Sequence, residues 1–198
     1  MIPAGYLLKR VVAPPEYLAG PTITDVCSVS DCVNDDVVDV QKVWQHNGFG
    51  VANDPATLWK LAPDIGPGAG ATLFYYEAYE EEIESDGWSF DPKEWRPLSQ
   101  VSSAGVDTSV TPPSQDFKVT LIGYDVVVFG DFLEHSPLSC NHVAAEVAAE
   151  VAVNERCLFE TLEAAKKAID TGAFGGGCED GIYRIFSVSI VDDVASAP

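Results

Sequence analysis

Gly5-Tyr6-Leu7-Leu8-Lys9-Arg10-Val11-Val12 and Gly123-Tyr124-Asp125-Val126-Val127-Val128-Phe129 open two stretches of the chain in the same way, each a Gly-Tyr pair running into a strand-like apolar segment. Similarity continues beyond the openings. A Ser/Cys segment comes next in both, Cys27-Ser28-Val29-Ser30-Asp31-Cys32 and His135-Ser136-Pro137-Leu138-Ser139-Cys140, which sets Cys27 opposite His135 and Cys32 opposite Cys140.

Helical periodicity follows each segment. Val37, Val40 and Trp44 recur on one face after the capping acid Asp36, with Gly48 as the stop, and Val143, Val147 and Val151 recur at every fourth residue. Short strand candidates at Phe49-Gly50-Val51 and Cys157-Leu158-Phe159 lead into second helices. Asp54 stands before Pro55 as N-cap acid and N1 proline; Thr161 precedes Leu162, Ala165 and Ile169, and Gly172 ends that helix. Strand runs then close both stretches, Ala71 to Tyr79 and Ile182 to Ile190.

The fold predicted is α+β, with two similar β-α-β-α-β halves from an internal duplication packed as one pseudo-symmetric unit. The first half spans 1–86, an aromatic then Pro/Ser-rich linker spans 87–116, and the second half spans 117–198. Asn47 and Asn154 lie at nearly the same distance beyond Cys32 and Cys140. Identities between the halves are few, however, so shared apolar patterning is the competing explanation.

Composition narrows the function classes. With 46% apolar and 10% aromatic residues in 198, the chain can bury a substantial core. Its 31 acidic against 11 basic side chains, a formal charge of −20, oppose direct binding to a phosphate backbone. The same charge favours solubility and fast, salt-sensitive association with a basic partner. The N-terminus puts Lys9-Arg10 after the apolar run, the reverse of a secretory signal, and the stretch Val143 to Val153 is too short and too charged to span a bilayer. Five cysteines, an odd number, suit reduced thiols in a cytoplasm.

Three constellations carry chemistry. Cys27, Cys32, His135 and Cys140 form a Cys3His set of the kind that holds zinc tetrahedrally, although both pairs have four residues between the ligands. Cys140 lies between His135 and His142 near a helix start, where a thiol nucleophile can be activated. The bland alternative for both is packing and loop capping. Third, Tyr75, Tyr76, Glu77, Tyr79, Glu80, Glu81, Glu82 and Glu84 combine aromatic anchors with charge and form the expected partner-binding surface, against the alternative of a solvated strand end.

Two further clusters point nowhere specific. Asp35, Asp36 and Asp39 match no calcium loop and read as helix N-terminal acids, and the glycines from Gly172 to Gly177 lack the Lys-Ser/Thr of a phosphate loop. The leading functional expectation is a small acidic protein that neutralises or regulates a basic protein, of inhibitor or immunity-protein type, with no cofactor. A Cys/His-dependent enzyme or zinc protein and a self-assembling structural component are the alternatives.

Overall fold

In the computed structural model, the strand runs that close the two halves are hydrogen-bonded to each other and form the centre of one antiparallel sheet. The structure describes residues 1–18, 22–30, 33, 35–36, 49–62, 70–79, 83–84, 110–129, 133–140, 147, 151–174 and 182–193. Among them, β1 (Ile2–Arg10), β3 (Thr72–Ala78), β5 (Phe117–Phe129) and β7 (Ile182–Asp193) are the long strands. Short strands β2 (Asp35–Asp36), β4 (Ile83–Glu84) and β6 (Leu133–His135) accompany them, with helices α1 (Pro55–Leu61) and α2 (Leu162–Asp170).

The strand order is β2-β1-β3-β7-β5-β6, with β4 also on β7. Every pairing is antiparallel. β3 meets β7 with Tyr76 opposite Val188 and Phe74 opposite Ile190. The protein is therefore a mixed α/β structure in which both halves contribute to a single sheet.

Local chemistry explains both helices. Asp54 accepts the Thr57 amide at 2.9 Å and Thr161 Oγ1 accepts the Ala164 amide at 3.1 Å, so each side chain satisfies a first-turn donor that has no partner inside the helix. α2 ends in paired bonds, Gly172 N to Ile169 O and Ala173 N to Ala168 O, with Gly172 at φ 70°. That is the left-handed stop expected of a glycine just past a helix.

Several boundaries differ from the sequence reading. β1 begins at Ile2 and β5 at Phe117, so Gly5 and Gly123 lie within strands rather than opening them. Each sits at a register shift, between Pro3 and Gly5 and between Leu121 and Gly123, with φ 137° and 150°. A β-bulge takes one extra residue into the strand, so the strand runs on through the glycine that opens the apolar run. Phe49–Val51 and Cys157–Phe159 are not strands; their chain segments touch the sheet through single bridges, Ala52 to Tyr6 and Phe159 to Tyr124.

Asp36, expected as a helix cap, instead pairs with Lys9 as part of β2. The helix expected over Val37 to Trp44 lies outside the described residues. So does most of the stretch from Val143 to Val151, apart from helical Val147, whose carbonyl accepts the Val151 amide at 3.0 Å. The β-α-β-α-β succession in each half is thus described only in part.

Two apolar clusters fill the interior, and neither belongs to one half. The first gathers Tyr6, Leu8, Leu58, Phe74 and Tyr76 with Val127, Leu158, Phe186 and Val188. The second gathers Val126, Phe159, Ala165, Ile169 and Ile185 with Leu18 and Val26 from near the N-terminus. Residues on the far side of the central β3–β7 seam close both cores.

Candidate functional site

The two Ser/Cys segments meet. Asp125, on β5 and fully buried, accepts the Val29 amide at 2.7 Å through one carboxyl oxygen. Through the other it accepts the Ser136 hydroxyl at 2.7 Å and the Val126 amide at 2.9 Å. The Ser136 amide in turn donates to Ser30 O at 2.7 Å. From β1, Lys9, only 3% exposed, donates to the carbonyls of Ser28 at 2.8 Å and Val29 at 3.3 Å. Anion and cation thus hold one loop by its opposite polarities, Asp125 taking an N–H of Val29 and Lys9 its C=O.

Such a network satisfies buried polar backbone where a loop crosses the sheet, and removing one member would leave donors or acceptors with neither protein nor water. Cys27 continues the tether into the second half. Its amide donates to Arg156 O at 3.2 Å, while the amides of Thr24 and Asp25 both donate to Glu155 O. The Asp25 carboxylate lies 3.5 Å from the Arg156 guanidinium.

The described thiols make structural contacts. Cys27 and Cys157 are buried, and burial pushes the Cys27 thiol up despite the lowering effect of Arg156 nearby. Cys157 Sγ lies 3.2 Å from Leu138 O as a hydrogen-bond donor. Cys140 is half-buried, its amide donating to Ser136 O, and His135 is half-buried on β6 opposite Val128. Cys32 and His142 lie outside the described residues. Among the described residues, no group of three or more His, Cys, Asp or Glu side chains is placed to hold a metal.

The acidic-aromatic strand is sorted by burial. Tyr75 is 5% and Tyr76 0% exposed, so both rings belong to the core; the Tyr75 ring lies 5.0 Å from that of Tyr6. Burial, with a lesser effect of the Glu77 charge, pushes the Tyr75 phenol up to about 12. Glu77 and Tyr79 are half-buried, and Lys166 Nζ donates to the Tyr79 hydroxyl at 2.9 Å. Glu84 belongs to β4, opposite Ile182, and Glu80, Glu81 and Glu82 lie outside the described residues. Aromatic anchoring of a partner therefore does not come from Tyr75 or Tyr76.

Sequence reasoning passed over Lys9, Asp125 and Asn154 as site-building residues. A signal was present for Asp125, a single charge inside an apolar strand run, since such charges are either exposed or engaged; Lys9, paired in sequence with Arg10, carried no such mark. Asn154 accepts the Arg156 and Leu158 amides and donates to Ile122 O at 2.8 Å, fixing a tight loop against the β5 bulge. An open cleft of about 240 Å³ lies between α2 and the preceding loop, lined by Val151, Phe159, Lys167 and Thr171 among others. It converges no polar groups beyond these.

No helix among the described residues is long and apolar enough to cross a membrane. Compared with protein-family models, curated proteins and solved structures, the chain matches none.

Proposed function

We propose that the chain is a small acidic protein-binding protein that neutralises or regulates a basic partner, as an inhibitor or immunity protein does, and that its two halves are copies of one α+β unit. The observation that carries the function is charge. The chain has a formal charge of −20, and among the described residues the basic side chains of Lys9 and Arg184 are buried, which takes positive charge off the surface. A surface of that sign accelerates encounter with a cationic protein and loses its reach as salt screens it. Thiols outside any disulfide at Cys27, Cys140 and Cys157 suit a reducing, cytoplasmic setting.

Support for two copies comes from backbone features that recur at one offset. The same number of residues separates Gly50 from Cys157, both at positive φ, Ala52 from Phe159, both bridged to the tyrosine after a bulge glycine, and Asp54 from Thr161, both N-caps. The order β2-β1-β3-β7-β5-β6 places corresponding strands symmetrically about the β3–β7 seam.

A native pull-down from source-cell lysate with the full chain, at low and at moderate salt, tests the function. One basic protein retained at low salt and released at moderate salt is the expected result. Retention of neutral or acidic proteins alone, or of nothing at either salt, would sink the reading.

A further inference from the structure

We infer that the outer edge of β5 over Phe117–Leu121 is a docking surface that takes an extended, lysine- or arginine-rich strand of another protein by strand addition. This rests on the acidic-binder reading for the sign of the partner's charge, and on the fold for the place.

β5 is paired along its inner edge with β7 from Phe117 to Phe129. Among the described residues, its outer edge is occupied toward the C-terminal end: β6 pairs at Val128 and Phe129, Phe159 bridges Tyr124, and Asn154 takes the Ile122 carbonyl. No described strand pairs the outer edge over Phe117–Leu121. Lys118, Val119, Thr120 and Leu121 are all exposed, with Val119 at 45% and Leu121 at 52%. Alternation puts those two apolar side chains on one face, leaving an apolar strip beside a strand edge that can still pair. Natural sheets usually cover or shorten such an edge, and strand-adding partners use it.

Charge selects the occupant. Asp116, next to the start of β5, and Asp192, opposite Lys118, are both exposed, and the whole chain is strongly negative. A second copy would bring the same excess of acid to the edge, whereas a cationic strand brings the opposite sign and can place alternate apolar residues over Val119 and Leu121.

The probe is a short labelled peptide of alternating valine and lysine, with a valine–glutamate peptide as control, added to the full chain. Anisotropy reads binding, hydrogen exchange locates it, and sedimentation reads self-association. The valine–lysine peptide is expected to bind more tightly at low salt and to slow exchange at Phe117–Leu121. A Val119→Lys/Leu121→Lys variant is expected to lose about tenfold or more in affinity with an unchanged circular dichroism spectrum, while Tyr17→Ala, at an exposed large side chain away from this edge, keeps it.

Protection elsewhere, no binding, or an unaffected double variant overturns the edge and leaves the acidic-binder reading to the pull-down. Equal binding of both peptides overturns the cationic occupant while strand addition stands. A concentration-dependent dimer abolished by the double variant makes the occupant a second copy and overturns the proposal.

Discussion

At the residue scale, burial turns several reactive-looking side chains into supports. Lys9 and Asp125 act on the peptide groups of Ser28 and Val29, and Ser136 completes the arrangement through its hydroxyl and amide. Tyr6 and Tyr75 give a measurable consequence of the same burial. Both phenols are pushed above their ordinary value of 10.0, chiefly by burial, Tyr75 to about 12 and Tyr6 further, with Tyr75 and Asp54 adding to the effect on Tyr6. A raised folded-state value means that the folded protein holds these protons more tightly than the unfolded chain does. Stability from this source is complete below pH 10 and is lost as pH rises from 10 towards 12 and beyond. Denaturant titrations at increasing alkaline pH, followed beside phenolate absorbance, are expected to show that decline; stability unchanged up to pH 12 would contradict it.

At the element scale, the bulge at Gly123 decides where β5 can pass the Asn154 loop. A Cβ there would lie 2.7 Å from Leu158 Cβ and 2.8 Å from Phe159 O, at a φ of 150° that side chains disfavour. Gly123→Ala is expected to cost about 2–4 kcal/mol, measured by urea unfolding, because the contact is with backbone and a buried leucine that cannot swing away. A cost below about 1 kcal/mol would show that the bulge relaxes freely. Legibility also divides at this scale. The caps at Asp54 and Thr161 were readable because a capping side chain acts on an amide three residues on. The starts of β1 and β5 were not readable, because a glycine at the head of an apolar run and a glycine at a bulge inside a strand look alike locally, and only the neighbouring strand distinguishes them.

At the scale of the whole molecule, β3 pairs with β7, and each core is closed by side chains from both ends of the chain. The protein is therefore expected to unfold in one transition, coincident by circular dichroism, tryptophan fluorescence and calorimetry. Asp125→Ala leaves the Val29 amide and Ser136 hydroxyl without their acceptor, so it is expected to lower that single transition by about 3 kcal/mol of stability. Two separated transitions in either protein would mean that the halves fold apart.

The sequence by itself determined the mixed α/β class, the two capped helices, the four long strand runs and the acidic character, since periodicity, capping and charge are written in neighbouring residues. Tertiary structure alone decided that the closing strands of both halves join in one sheet, that Tyr75 and Tyr76 go inside, that Lys9 and Asp125 share a loop, and that no described strand pairs the outer edge of Phe117–Leu121. Each of those depends on contacts between residues far apart in the chain, where burial is set by what packs across the sheet rather than by the residues on either side.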